Sequence, residues 1–471
     1  MGGSSPSRGL GRATSLALGI VAAAIAVRFA ALALLGMDPL QVHRVASGAG
    51  LAWDWGYEQA AVAQSIARGD GFSDPFPYET GPTAWAAPVY PLLLGGLIHL
   101  FGGITPAVAW CLVTVQILAA SATCWLLFRL GRALHSPAVG LAGAGLWAVH
   151  PMAVYLPIHL VWDSTLVAMA ITWLLASLAE RGSRPGKGGL VALGAGLGLT
   201  ALVNPAPLAL VPLLALHLTR PTNGARGVAR GGIGRVAVVL AVAAAVSSPW
   251  WIRNALVLGT PQIRSNFGVE LFVGNNDGAR GPFNGHLHPA YSEVERARFL
   301  EMGEVAYSEE AQERALRWIR EHPSRFAELV LLRAQRFWFG PDPSEPILLG
   351  SGEVHRRDWM GWVKWSSHAL VGLLALLGLL LWSGRGGSRV LLGGAIVLFP
   401  LVYYVTHVIE RYRFPIEPIA TLLAAYAVLR ILVGRRRLES WLPQREGSEQ
   451  MLAAETPAGA AAVGDGASSS R

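Results

Sequence analysis

Long apolar blocks rich in Leu, Ala, Val and Gly, separated by short polar or basic segments, set the hydropathy pattern of the chain. Many of these blocks approach the roughly 20 residues that carry an α-helix across a bilayer. Assigning the Lys- and Arg-rich segments to the cytoplasmic side yields a path that closes without contradiction. Its spans lie at about 15–35, 106–129, 137–154, 161–179, 190–203, 206–219, 236–251, 367–383, 390–406 and 415–433. The expected fold is therefore an all-α polytopic membrane protein with about ten transmembrane helices and both termini cytoplasmic. The apolar run from Val89 to Phe101 is short for a crossing and would put Arg129 to Arg132 on the wrong side, so it is expected as a helix on the outer surface. The pair around Asn204-Pro205 either crosses twice or forms a re-entrant hairpin, and both return the chain to the same side.

This path divides the chain into a cytoplasmic N-terminus (1–14), an N-terminal transmembrane catalytic module (15–251) with an external loop at 36–105, an external module (252–366), C-terminal transmembrane helices (367–433) and a tail (434–471). The tail has no apolar period and is expected to be disordered. Within the external module, Ser308 is expected to cap a helix carrying Glu309 and Glu310 in its first turn and ending at His322-Pro323. A second helix, 324–339, with Phe326, Leu329, Val330 and Phe337 at helical spacing, is expected to lie on the membrane. Trp359, Trp362 and Trp365, behind Arg356 and Arg357, mark the outer interface before the next span.

Composition agrees with this pattern. With 52% hydrophobic and 14% charged residues in 471, the chain has too little polar surface for a soluble globule of its size. The formal charge of +8 comes mostly from Arg in short loops, where it orients helices, so nucleic acid is not an expected partner; membrane lipids are. Cys111 and Cys124 share one apolar run, where 13 helical residues separate them by about 20 Å, too far for a disulfide. The first apolar run is too long for a signal-peptide core and contains Arg28, which reads as a retained helix whose Arg snorkels or pairs with another helix.

Three places carry candidate chemistry. In the first external loop, Trp53-Asp54-Trp55-Gly56-Tyr57-Glu58 puts a carboxylate between two indoles. Partial desolvation there raises a carboxyl pKa and suits Asp54 to act as a general base, although it equally fits a helix cap for residues 57–68. Asp163 opens a span at its outer end, four residues after His159, and is either a helix-start charge or a residue facing a cavity. As a metal pair these two lack a third ligand, so no metal site is expected and a divalent cation is not indicated. The third place is His407 to Pro418, where Arg411 and Arg413 run against the positive-inside trend, as do Arg253, Arg264, Arg333 and Arg336. A phosphate headgroup gives such guanidinium groups a partner; pairing with Glu410 or Glu417 or snorkelling to lipid is the plainer alternative.

The order and spacing of several segments resemble the GT-C superfamily of membrane glycosyltransferases, in the bacterial branch related to dolichyl-phosphate-mannose protein mannosyltransferases and to lipid A aminoarabinose transferases. The matching pieces are Asp54-x-x-Tyr57 with Gly69-Asp70-Gly71-Phe72, Ala87-Pro88-Val89-Tyr90-Pro91, the span opening at Asp163, Pro249-Trp250-Trp251-Ile252-Arg253-Asn254, Leu271-Phe272-Val273-Gly274-Asn275 and Arg411-Tyr412-Arg413-Phe414-Pro415. The resemblance implies transfer of a sugar, with inversion, from a polyprenyl-phosphate donor to a lipid, glycan or protein acceptor on the extracytoplasmic face of the plasma membrane. It implies Asp54 as the catalytic acidic residue and Asp163 as a second one. Glu58, Tyr57, Tyr90, Arg253, His407, Arg411 and Arg413 are then expected on substrate. Relatives often carry Glu directly after the loop aspartate, where this chain has Trp55, with Glu58 four residues after Asp54; they also carry Lys where this chain has Ala87, which weakens lipid A as the acceptor. The competing reading, a transporter or lipid flippase, predicts an internal repeat with helices broken at corresponding places, and the sequence shows none.

Overall fold

The structure, a computed structural model, describes residues 6–42, 55–221, 231–281, 283, 285–341, 347–348, 354–355 and 359–439. Asp54, Arg356, Arg357, most of the basic 220–235 segment and the tail beyond 439 lie outside the described residues. The architecture is helical; among the described residues the only β-ladder pairs Ile347–Leu348 with Val354–His355.

Among the described residues, six helices are long and apolar enough to cross a membrane: Leu10–Leu34, Pro106–Leu134, Gly232–Leu258, Gly361–Leu381, Ser388–Val405 and Glu410–Val433. A seventh arises if Pro137–Val149 and Pro151–His159, bent by 49° at His150, count as one span. Of the remaining expected spans, Ser164–Arg181 is an 18-residue helix outside that set, and Lys187–Val203 and the 3-10/α segment Ala206–Thr219 are shorter apolar helices. Several boundaries move. The 236–251 span continues to Leu258, so Arg253 sits within a helix and not in the loop after it. The 367–383 span begins at Trp359, which places all three interface Trp residues on the helix itself. Ser308 is interior to helix Glu304–Glu321, whose N-cap is Gly303 with φ +78°, a conformation that only glycine adopts without strain.

Local chemistry explains the helix starts. Thr105 and Ser136 accept hydrogen bonds from the backbone N–H of Val108 and Val139, and each precedes a Pro at the first helical position. The bend at His150, and Pro157 with no N–H to give Ala153 O, leave carbonyls without helical partners. Arg28 fills that gap: its Nε donates to Ala153 O (3.0 Å), its Nη1 to Ala24 O (2.9 Å), and its terminal nitrogens lie 3.5 Å from Ala148 O and Trp147 O. The intramembrane Arg thus pairs with carbonyls of the bent pair.

Close helix packing depends on small residues. A Cβ on Gly131 would come within 2.5 Å of Gly140 Cα, and Cβ atoms on Gly194 and Gly198 would each come within 2.7 Å of backbone oxygens in Gly232–Leu258. Such glycines let backbones approach where lipid supplies no hydrophobic drive for association.

The expected helix 324–339 is present as Pro323–Phe339, but Leu329, Arg333 and Phe337 are buried against protein. Arg333 donates to Gly274 O, Asn275 Oδ1 (3.2 Å) and Tyr404 O (3.1 Å), at the C-terminal ends of helices Phe267–Gly274 and Leu401–Val405. Glu304 performs a similar service nearer the N-terminus of the chain. It accepts from Thr83 Oγ1, Ala84 N (2.7 Å) and Ser265 Oγ (2.6 Å), fastening the segment before Val89–Leu100 to the external helices.

Candidate functional site

The N-terminus of helix Glu58–Arg68, the start of Ser164–Arg181, the break at Asn204-Pro205, helix Phe267–Gly274 and the turn 406–412 converge on one cavity of about 890 Å³. That volume is in the range that holds a small molecule or a lipid headgroup. Tyr57, Glu58, Asp163, His407 and Arg411, five of the nine residues named from sequence, line it.

Asp163 is 2% exposed and precedes helix Ser164–Arg181 as its N-cap residue without making a side-chain cap hydrogen bond. Its Oδ2 accepts from Gln59 Nε2 (2.9 Å) and Asn204 Nδ2 (3.0 Å). Two amides from different elements therefore hold one oxygen of a residue that lines the cavity. His159, four residues before Asp163, stacks on Tyr155 with ring centroids 4.4 Å apart.

Arg411 forms no hydrogen bond to any described residue, and its Nε is buried. Its guanidinium lies over the Trp162 ring at 4.2 Å, and Trp162 in turn meets Tyr57 edge-on at 6.1 Å. Stacking fixes the plane of the cation while leaving its donors open. Arg264, not singled out from sequence as a site residue, gives its Nε to Trp85 O (3.0 Å) and also lines the cavity.

The acids respond to these surroundings. Burial pushes the Glu58 carboxyl above its usual range, with Arg411 and Arg264 opposing the shift. Burial pushes Glu270, also not singled out from sequence, up to about 7, opposed chiefly by Arg264. His407 is pushed down to about 3 by burial and is therefore a neutral imidazole. Among the described residues, no three His, Cys, Asp or Glu side chains gather as a metal site.

Of the other named residues, Asp54 lies outside the described residues, and Tyr90, Arg253 and Arg413 are engaged with other groups of the protein. Tyr90 is buried among Trp55, Ala60 and Val161, with its hydroxyl 3.5 Å from Gln116 Oε1. Arg253 donates to Thr83 O (2.6 Å) and Phe72 O (2.9 Å) and packs against Phe72 and Trp250, tying the first loop to the end of Gly232–Leu258. Arg413 is 1% exposed and makes a two-pronged ion pair with Glu417, while also donating to Trp338 O (2.6 Å) and His368 O (2.8 Å). His150 Nε2 lies 3.3 Å from the same carboxylate. The alternative of pairing with Glu417 therefore holds for Arg413. The short 3-10 segment Glu410–Ile416 sends Arg411 into the cavity and Arg413 into protein.

Arg413→Ala would strand Glu417 in the interior, a change that typically costs about 3–5 kcal/mol. Its expected result is a large fall in thermal midpoint and in yield of folded protein from membranes. A folded variant of normal thermal stability that has merely lost lipid-phosphate affinity would contradict the structural role.

No family model matches the chain, and no curated protein sequence matches it. Among solved structures it is similar to ArnT from Cupriavidus metallidurans bound to undecaprenyl phosphate, at 16% identity and a TM-score of 0.46 over 88% of this chain and 60% of that one. It is also similar to the Archaeoglobus fulgidus oligosaccharyltransferase tethered with an acceptor peptide, at 13% identity and a TM-score of 0.46 over 88% of this chain and 50% of that one. The oligosaccharyltransferase AglB from the same organism, in complex with an inhibitory peptide and a dolichol-phosphate, gives 14% identity and a TM-score of 0.45 over 93% and 53%. The chain spans between half and three-fifths of the length of these proteins.

Proposed function

We propose that this multi-pass membrane protein is a glycosyltransferase of the GT-C type that moves a sugar from a polyprenyl-phosphate donor to an acceptor hydroxyl on the extracytoplasmic side. The observation that carries the reading is the pairing, in one cavity, of oriented carboxylates with a stacked guanidinium whose donors are unengaged among the described residues. Carboxylates suit proton transfer and open guanidinium donors suit a phosphate. The cavity also has apolar lining from Val167, Ala206, Ala209 and Val402, suited to the first isoprene units of a lipid carrier.

In the proposed reaction a carboxylate takes the proton of the acceptor O–H. The freed electron pair of that oxygen attacks the anomeric carbon from the face opposite the phosphate, forming the new C–O bond. The old bond from carbon to phosphate oxygen breaks, its pair stays on the phosphate, and Arg411 with Arg264 neutralises the developing charge. Inversion follows from a single displacement. Asp54, which precedes the cavity-lining Tyr57 by three residues in sequence, is assigned as the base. Asp163 is assigned to orient the acceptor through Oδ1, and Glu58 to share the electrostatic load beside Arg411.

The test is mass spectrometry of surface glycans and glycolipids from cells with the gene deleted, restored, or restored as Asp54→Asn. A sugar lost on deletion, regained with wild type and absent with the variant supports the reading. An unchanged glycan profile after deletion would overturn it in favour of transport.

A further inference from the structure

The wall made by helix Phe267–Gly274, the segment around Phe283 to Tyr291, and the turn at His407 has its own polar and aromatic groups, which the proposed displacement leaves unused. Glu270 Oε1 is held by Asn266 Nδ2 at 2.9 Å, and its Oε2 lies 3.6 Å from His407 Nε2. His407 is 1% exposed and its Nε2 meets Tyr412 Oη at 3.1 Å, yet its Nδ1 has no hydrogen-bond partner. A buried ring nitrogen without a partner costs free energy unless something else engages it. Around this pair stand aromatic rings. Phe283 lies 5.2 Å from His407 and 6.0 Å from Tyr291, centroid to centroid, and both line the cavity.

A pyranose has an apolar face of C–H bonds and a rim of hydroxyls. A ring edge or face packs against the first, and fixed, short-range donors and acceptors read the second. Glu270 and His407 offer two such groups side by side, each locked by a neighbour. A sugar carrying its own carboxylate would meet the Glu270 carboxyl there.

We propose that Glu270 and His407, backed by Phe283 and Tyr291, form the pocket that grips the transferred sugar, and that this pocket takes a pyranose with adjacent free hydroxyls and no carboxylate of its own. The inference rests on the donor reading above. It divides that donor between two parts of the cavity: Arg411 and Arg264 hold the phosphate, while this wall selects the sugar. Glu270 and His407 are then specificity residues, and proton transfer stays with Asp54 as assigned above.

The test measures dissociation constants of the full chain in nanodiscs for undecaprenyl phosphate alone and for its glucose, galactose, mannose and glucuronic acid conjugates. Wild type is expected to bind at least one neutral conjugate about tenfold or more tighter than bare undecaprenyl phosphate, a gain of about 1.4 kcal/mol, and to bind the glucuronic acid conjugate no tighter than the bare lipid. Glu270→Gln, His407→Gln and Phe283→Ala should each erase the gain while leaving affinity for the bare lipid within about twofold. Three variants of different size keep the test open if one fails to fold. Equal weakening of bare and sugar-bearing lipid by all three, or retention of the gain, overturns the pocket. So does a Glu270→Gln protein that keeps the gain but loses turnover, since that is the behaviour of a base. Wild type that binds bare lipid phosphate without preferring any conjugate overturns the pocket alone; wild type that binds none of them overturns the donor reading with it.

Discussion

Asp163→Asn is expected to lower sugar transfer by roughly 10²- to 10⁴-fold while leaving the protein folded. The geometry makes the substitution selective. The amide oxygen of Asn can still accept from Gln59 and Asn204, the two groups that hold Asp163 Oδ2, so the local network survives. What changes is the other oxygen: an anionic acceptor becomes an NH₂ donor. The check is the turnover of the purified variant beside its thermal midpoint in the same detergent. Activity within about threefold of wild type would remove Asp163 from the reaction, whereas a collapsed midpoint would show that its charge supports the fold instead.

The second large effect is expected from Arg411→Ala, as a loss of donor affinity of roughly 10- to 100-fold with little change in stability. A hydrogen bond to a charged group contributes about 1.5–3 kcal/mol, which corresponds to that range for one lost phosphate contact. Removing the Arg411 side chain breaks no side-chain hydrogen bond among the described residues and gives up its stacking on Trp162 and Tyr412, so the fold loses little. Titration with undecaprenyl phosphate reads the change directly. Arg411→Lys should recover part of the affinity but not all of it, because an ammonium keeps the charge and loses the planar fork. Wild-type affinity in the Ala variant would exclude Arg411 as the phosphate ligand.

Arg411 and Arg413 show where sequence reasoning reaches its limit. Both run against the positive-inside trend, both fall in one short motif, and hydropathy gives no basis for separating them. The structure separates them because residues two apart on a tight helical turn point in different directions, one over Trp162 into the cavity and the other onto Glu417. Arg28 and Arg333 belong with Arg413. Arg333 reaches backbone carbonyls at helix ends, and Arg28 reaches Ala153 O, which Pro157, lacking an N–H, leaves without its helical partner, so both roles depend on where helical bonding is interrupted. Such breaks are only partly legible: Pro137 and Pro151 mark them in the sequence, but the 49° bend between them does not follow from hydropathy.

The apolar blocks themselves were readable because lipid demands them, and the long helices fall where the blocks do. Counting crossings was harder. Lys187–Val203 and Ala206–Thr219 are too short to be assigned by length alone, and Asn204 between them points to a site, holding Asp163. Asp163 stood out as a carboxylate at the mouth of an apolar run. Glu270 carries a similar signal, a single acid inside the octet Phe267–Gly274. Arg264 shares the charge signal of the other Arg residues that run against the positive-inside trend, whereas Gln59 has no local signal, since its role arises only when it meets Asp163, 104 residues further along the chain.

The most direct test of sugar transfer from a lipid phosphate is a reconstituted reaction. The full chain in nanodiscs would be incubated with undecaprenyl-phosphate sugars and an acceptor-bearing membrane extract, and free undecaprenyl phosphate would be followed by mass spectrometry. The account predicts release of undecaprenyl phosphate, coupled one for one to a glycosylated product, with wild type and not with Asp54→Asn or Asp163→Asn. No release from any donor, or equal release by the Asp variants, would contradict it.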